Sequence, residues 1–307
     1  MDLLRLRVLC EVLDRRSFRR AAEALALSQP AVSFHVKSLE RELGLLLVQR
    51  DRGRVGPTEA GELVYRRGRE ILQLCEELRR AAIELREAKA GRVVLGASDT
   101  IGSFVLPGLI AEFRQHHPAA QLTMIVSTTT SICEQVLQGD VDFGYVEGLA
   151  IAPGLAVESI HAEPLVLIAP ADHPLARDGV LPGAALATEP FVHSMPGTAY
   201  RNMVEQWLRA AGIGAPPIAA EVGSTTALKL AVEAGLGLTL CFRCSVEREL
   251  SEGRLVQLAV AGLQSRSEFR LVYRPHKHFS PVEERFLAFL RTRIQVAGRA
   301  AASAPAY

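Results

Sequence analysis

The sequence predicts an α/β chain in two parts, a small, mostly helical head and a larger body of alternating strands and helices. Three observations predict it. Over the first ninety positions apolar residues recur at helical spacing, whereas from Gly91 onward short β-prone runs alternate with helical ones. The length of 307 residues accommodates two domains at ~150 residues each. Charge divides at the same place. Residues 1–90 hold 18 Lys and Arg against 14 Asp and Glu, and residues 91–307 hold 17 against 20, so the overall charge of +1 averages a basic head and a mildly acidic body. That asymmetry points the head at a polyanion. A hydrophobic content of 49% excludes a disordered chain and supports a core that folds without disulfide staples.

Three amphipathic helices open the head. Leu6, Leu9, Cys10 and Leu13 share one face of the first. Phe18, Ala21, Ala22 and Leu25 repeat the spacing behind a capping Ser17. Val32, Val36, Leu39 and Leu43 are the expected buried stripe of the third, with Ser28 as N-cap, Pro30 in the first turn and Gly44 past the end. Helices two and three are joined only by residues around Ala26–Ser28, the pattern of a helix-turn-helix, although the turn lacks the common Gly.

At 100° per residue, the face opposite the stripe of the third helix holds Pro30, Phe34, Lys37, Ser38 and Arg41, flanked by Ala31 and Ser33. Such a face fits a major groove. Hydroxyls read base edges, apolar side chains meet thymine methyls, and Lys37 and Arg41 neutralise phosphates, with Gln29 near enough to touch base or phosphate. A merely solvated face explains any one of these residues, but an exposed Phe34 at its centre needs a partner, whether DNA or a neighbouring subunit. Next, Arg50, Arg52 and Arg54 surround an Asp51–Gly53 turn, which predicts a short hairpin whose arginines reach phosphates or a minor groove.

At this point residues 1–62 resemble the DNA-binding domain of LysR-type transcriptional regulators. The matching stretches are Ser17 to Leu25, Ser28-Gln29-Pro30-Ala31-Val32-Ser33, Leu39-Glu40-Arg41-Glu42-Leu43-Gly44 and Thr58-Glu59-Ala60-Gly61. The resemblance implies a winged helix-turn-helix over residues 1–57, with Ser17, Arg19, Gln29, Pro30, Ala31, Ser33, Phe34, Lys37, Arg41, Arg50, Arg52 and Arg54 as DNA contacts. Phe34 stands where the family often has Arg, Val48 where Phe is frequent, and Pro57 where Leu is frequent.

A helix is predicted over 58–90, capped by Thr58. Val64, Ile71, Leu78 and Leu85 recur every seven residues, and Leu74, Ala81 and Ala88 follow by three, with Arg67 breaking the second set. An isolated helix of this length needs a partner. Pairing through Val64, Ile71, Leu74, Leu78, Ala81 and Leu85 of two copies supplies one, with packing on its own body as the alternative. In the resembling family this segment is the linker and dimerisation helix.

In the body, strands and helices alternate in a way that implies mostly parallel sheets, with ligands beyond the strand C-termini at helix N-termini. Ser98-Asp99-Thr100, Ser127-Thr128-Thr129-Thr130, Glu147, Pro196-Gly197-Thr198 and Ser224-Thr225-Thr226 stand at such positions. N-capping explains each hydroxyl cluster alone, whereas together they can converge on a small polar, anionic ligand. Asp99 and Glu147 would repel an anion or bind a ligand's ammonium or hydroxyl groups.

Ala97-Ser98-Asp99-Thr100-Ile101-Gly102, Leu106-Pro107, Gly139-Asp140-Val141-Asp142-Phe143-Gly144, Val146-Glu147-Gly148, His173-Pro174-Leu175-Ala176 and Ala231 to Gly237 are similar to the effector-binding region of the LysR branch linked to sulfur assimilation and carbon fixation. The resemblance implies two periplasmic-binding-protein-like lobes, 91–161 with 268–307 and 162–267. It implies an effector held by Ser98, Asp99, Thr100, Thr128, Thr129, Glu147, Thr198, Arg201 and Thr225. Thr128 stands where Asn is usual, and Ala199 and Tyr200 depart from a Gly-Ser-Gly-Thr-Arg stretch that keeps Thr198 and Arg201 by position.

Five cysteines in no framework, no N-terminal signal pattern and no stretch of 18 apolar residues predict a cytoplasmic chain outside the membrane. Cys241-Phe242-Arg243-Cys244 has redox or metal spacing but no second pair, and His276-Lys277-His278 has no adjacent acid, so neither a metal nor a cofactor is expected. No P-loop, dinucleotide fingerprint or nucleophile elbow points to an enzyme. The resulting expectation is a homodimeric or homotetrameric regulator binding operator DNA, a small metabolite and RNA polymerase. The competing readings are a small-molecule-binding module and an α/β enzyme, each carrying a vestigial helix-turn-helix.

Overall fold

The computed structural model describes residues 2–51, 54–87, 91–148, 152–262 and 266–302, with the side chains of 50, 51, 54, 77, 80, 81, 83–87 and 295–302 outside the description. The chain forms two compact units, residues 1–89 and 90–307.

In the first unit, α1 (Leu3–Arg15), α2 (Phe18–Leu25) and α3 (Gln29–Leu43) surround a core of Leu6, Leu9, Val12, Phe18, Ala21, Val32, Val36 and Leu39. Each helix starts on a capping side chain. The Asp2 carboxylate accepts from the Leu4 amide, the Ser17 hydroxyl from Arg20 and the Ser28 hydroxyl from Ala31. The turn between α2 and α3 does without Gly because Ala26 itself adopts the left-handed conformation, at φ 52°. Leu43 falls outside the buried stripe and is exposed, because α3 ends there and Gly44 turns the chain away at φ 68°.

The wing is the antiparallel pair β1 (Val48–Asp51) and β2 (Arg54–Pro57), in register from Val48↔Pro57 to Asp51↔Arg54. Its root is held by groups the sequence did not advertise. Glu40 of α3 accepts from the amides of Leu47 (2.9 Å) and Val48 (3.2 Å). The Thr58 hydroxyl donates to the Leu46 carbonyl (2.6 Å) and accepts from the Gly61 amide (2.9 Å). A side chain at Gly61 would put its Cβ 1.9 Å from the Leu47 carbonyl oxygen, so only Gly permits this approach.

The long helix α4 (Glu59–Glu87) follows. Its heptad pattern divides between two uses. Val64 and Ile71 are half-buried and pack on the head core, beside Tyr65, whose hydroxyl donates to Asp14. Gly68 lets α1 approach, since a Cβ there would lie 3.2 Å from Leu6 and 3.5 Å from Cys10. Val64 and Ile71 thus give part of the apolar seam to the core of their own chain. A seven-residue repeat marks an apolar seam but not the chain that covers it. Farther along, Leu74 and Leu78 are 53% and 73% exposed, while the Ala81 and Leu85 side chains lie outside the described residues.

The second unit is built on a mixed sheet. β3 (Arg92–Ser98), β4 (Gln121–Ser127) and β5 (Phe143–Glu147) are parallel, β3 lying between the other two. A π turn at Ile101–Val105 precedes α5 (Leu106–His116), and α6 (Thr129–Gln138) follows β4. The strand β6 (Ala156–Pro170) is longer than the apolar run at 165–169. After it come β7 (Val180–Leu181), β8 (Phe191–Ser194), α7 (Ala199–Ala210), β9 (Ile218–Val222), α8 (Thr225–Glu233) and β10 (Thr239–Phe242). The chain closes with α9 (Glu247–Ser251), β11 (Leu255–Val260), β12 (Arg266–Tyr273) and α10 (Pro281–Ala302).

The strand order is β4-β3-β5-β12-β6-β11-β7, with β10 also on β6 and a separate parallel β8-β9 pair. Up to Pro164, β6 pairs with β12. From Leu165 it pairs with β10 and β11. These central pairings and β5–β12 are antiparallel, which corrects the expectation of mostly parallel sheets. The half-buried first part of β6 and the strands β7 and β11 gave no continuous apolar run to read.

Two substitutions test this account. Gly61→Ala is expected to lower the stability of the head by about 2 kcal/mol or more, because the clash is with backbone. Ala26→Gly is expected to raise it by up to about 1 kcal/mol by relieving the left-handed conformation at an exposed position. Thermal unfolding followed by circular dichroism measures both.

Candidate functional site

The C-terminal ends of β3, β4 and β5 carry Ser98 and Asp99, Ser127 and Thr128, and Glu147. Facing them are the starts of α7 and α8, with Thr198 and Ser224 as their caps. Between the two groups lies a cavity of about 300 Å³, lined by Ser98, Asp99, Ser127, Thr128, Thr129 and Glu147 on one side. Ser194, Met195, Thr198, Tyr200, Ser224 and Thr225 line the other. None of the lining residues is Lys, Arg or His.

Most of the hydroxyls also serve the fold. Thr128 accepts from the Ser131 amide and Thr198 from Arg201, as N-caps. Thr129 donates to the Glu147 carbonyl (2.9 Å), which fixes the start of α6 against the end of β5. The first-turn amides of α6 and α7 have no carbonyl within the helix to bond, so these ends present donors and the positive end of the dipole. The start of α8 is different, because Asp99 accepts from the Thr225 amide at 2.6 Å. This contact links the end of β3 to the opposite wall.

Two residues expected at the ligand lie off the cavity wall. Thr100 is fully buried, its hydroxyl 3.2 Å from that of Thr225. Arg201 is 7% exposed and committed elsewhere. Its guanidinium donates to Glu205 (2.5 Å), to Glu221 (2.9 Å) and to the Ser194 carbonyl (2.9 Å). Position in a motif matched Arg201 to a ligand residue, but the side chain braces α7 to β8 and β9. Met195, Tyr200 and Leu228 supply apolar wall that the search for polar clusters passed over, and Tyr200 donates to the Leu240 carbonyl (2.8 Å).

Glu147 is the electrostatic centre. It is 5% exposed, and its Oε2 accepts from the Ser98 hydroxyl. No hydrogen bond to its Oε1 is found among the described residues. Burial, opposed by a backbone hydrogen bond and reinforced by the nearby Asp99 charge, leaves its carboxyl pushed up to about 8. The acid is therefore mostly neutral at pH 7 and able to donate.

In the head, α3 presents a second candidate surface. Phe34 is 61% exposed at its centre, with Pro30, Gln29, Lys37 and Arg41 also exposed and Ala31 and Ser33 half-buried beside them. The Ser17 hydroxyl is used as the α2 cap, and Arg19 pairs with Glu23 across one turn at 3.7 Å. Arg52 and the side chains of Arg50 and Arg54 lie outside the described residues.

The pair at Cys241 and Cys244 is not poised for redox chemistry. Both thiols are free, and burial pushes Cys241 up to about 12 and Cys244 higher still. Among the described residues no three His, Cys, Asp or Glu side chains are grouped to hold a metal ion, and no helix is long and apolar enough to cross a membrane.

Residues 3–62 match the bacterial regulatory helix-turn-helix protein, lysR family, and residues 86–295 match the LysR substrate binding domain. The chain belongs to the LysR family. It is a DNA-binding transcription regulator with an effector-binding domain rather than an enzyme. The chain is 34% identical to the RuBisCO operon transcriptional regulator of Allochromatium vinosum, over 94% of this chain and 95% of that one, consistent with the carbon-fixation branch. Among solved structures it is similar in fold to full-length CbnR complexed with its target DNA, with TM-score 0.64 and 21% identity over 95% of this chain and 99% of that one. It is also similar to the regulatory domain of Synechocystis PCC6803 CcmR in complex with 2-PG, with TM-score 0.61 and 24% identity over 66% and 97%.

Ionisation of Glu147 has a consequence for stability. Its carboxyl is raised in the folded chain above the unfolded value near ~4.3, so the folded state holds the extra proton between these values. This group's contribution to stability is expected to fall as pH rises from about 4.5 to about 8 and to level off above. Glu147→Gln is expected to flatten that part of the profile, as urea unfolding at a series of pH values measures.

Proposed function

We propose that this LysR regulator controls a carbon-fixation operon in response to a small oxyanion metabolite. The regulator's relative from Allochromatium vinosum supports the class of target, and the CcmR complex with 2-PG supports a small polar effector. The observation that carries the effector reading is the cavity itself. Its hydroxyls and the free starts of α6 and α7 suit an oxyanion in a wall without a single cation. Ser98, Thr128, Thr129, Glu147, Thr198 and Thr225 are its proposed contacts, and Asp99 and Thr100 tie its two walls together.

The proposed domains are a winged helix-turn-helix over 1–57, a linker helix over 58–90 and an effector-binding domain over 91–307. The lobes of the last are 91–161 with 268–307 and 162–267. Leu74 and Leu78 of α4, with Ala81 and Leu85 beyond, form the proposed seam of a homodimer that can pair into a tetramer. Gln29, Pro30, Ala31, Ser33 and Phe34 read bases, while Lys37, Arg41 and the wing arginines hold phosphates, with Ser17 and Arg19 at the backbone beside α2. Exposed Phe34 amid this polar face supports the assignment. The regulator works in the cytoplasm and contacts RNA polymerase at its promoter. The effector controls it to the extent that it binds two arrangements of the lobes with different affinity.

Footprinting on the DNA beside its own gene, with and without 2-PG, tests this reading. Sequence-specific protection that fades with salt and shifts with 2-PG is expected, whereas protection without sequence preference would remove the regulator from this operon. Ser33→Ala is expected to relax discrimination at one base pair by about 1–3 kcal/mol and leave dimerisation intact. Lys37→Ala should weaken all sequences alike and reduce the salt slope by about one.

A further inference from the structure

The wall of the cavity contains two carboxyl groups and no cation, which an oxyanion should avoid. One of the two is already spent, since Asp99 accepts the Thr225 amide at the start of α8. The other, Glu147, is buried at the end of β5, beside the start of α6, with the Ser98 hydroxyl on one oxygen. Resting on the oxyanion reading above, we infer that Glu147 is the specificity-determining residue of this cavity, binding the effector as a neutral carboxylic acid that donates its proton in a hydrogen bond, so that effector binding is linked to proton uptake.

Among the described residues no Lys, Arg or His side chain bonds the Glu147 carboxyl, whose side-chain partner is the Ser98 hydroxyl. Asp99 from the end of β3 and Tyr200 from α7 line the same cavity, and Cys244 from the turn after β10 and Tyr145 from β5 itself are close enough to feel its charge. Burial keeps both phenols and the thiol uncharged well above neutral pH, so none of them adds a negative charge beside Glu147, and none can carry a positive one. From β12, Arg270 donates to the Gly148 carbonyl at 2.8 Å and so spends a donor on the backbone next to Glu147. The carboxyl is left to choose between an ionised form that repels an oxyanion and a protonated form that donates to it. Binding takes one proton from solvent onto Glu147 when that group is ionised, and none when it is already protonated. The same acid would discriminate by charge. At pH 7 it favours a ligand that brings acceptors, and a ligand that brings an ammonium group would have to expel the proton instead.

The full-length protein is titrated by calorimetry with 2-PG and with inorganic sulfate, which carries no proton of its own over the range used. Saturable binding is expected at pH 7 and about tenfold weaker binding at pH 9, as follows from a carboxyl that ionises near pH 8. Glu147→Gln, which stays neutral, should bind equally at both pH values. Wild-type titrations at pH 8.5 in two buffers of different ionisation heat should report uptake of a fraction of a proton, and at pH 6.5 almost none. That second measurement stands even where the variant does not fold. Binding of equal strength at both pH values, or the same decline in Glu147→Gln, would overturn the proton link while leaving the oxyanion reading in place. No saturable binding of either probe at any pH, or binding that tightens with rising pH, would overturn the oxyanion reading itself.

Discussion

Everything in the larger unit depends on the antiparallel ladder between β6 and β12. From Arg266↔Pro164 to Tyr273↔Ala156 these strands hold one another, while the far end of β6 belongs to β10 and β11. One continuous strand thus serves two hydrophobic assemblies. Where it passes from one partner to the next, the C-terminal ends of β3, β4 and β5 come to face the starts of α7 and α8. The irregularity between Phe269 and Arg270 falls within the same ladder.

The cavity that results is polar without being charged. Its hydroxyls cap helices, its buried acid is raised by burial, and Arg201, the cation that motif position offered, is folded into a bracket of Glu205, Glu221 and the Ser194 carbonyl. Buried ionic groups are tolerated when partnered, and Arg201 spends its donors on the scaffold. Contacts of Asp99 and Thr100 with Thr225 join the walls directly, so a ligand settling between them meets groups already used to bring those walls together.

The head follows a different economy of contacts. It is small, so single groups matter: Glu40 on two amides of the wing root, Thr58 on both Leu46 and Gly61, and a glycine where any Cβ would strike a carbonyl. With its core closed by α1 to α3 and the first turns of α4, it leaves Phe34, Leu74 and Leu78 outward. These are the parts for which the proposed function finds partners.

By itself the sequence determined the helices of the head, the caps Ser17 and Ser28, the bury-or-expose pattern of α3 apart from Leu43 at its end, and the positions of the hydroxyl clusters. All of these rest on periodicity and on side chains bonding amides three residues away. It also carried enough of four ordered motifs to place the chain in its family. Tertiary structure alone decided that Val64 and Ile71 pack on the head core, that β6 and β12 run antiparallel, that Arg201 turns away from the cavity and that Glu147 is buried in its wall. The reason is common to all four. Each depends on contacts between separate elements, such as Leu6 against Gly68, Arg270 against Ser159, Arg201 against Glu221 or Ser98 against Glu147, and no local spacing encodes whether such groups meet.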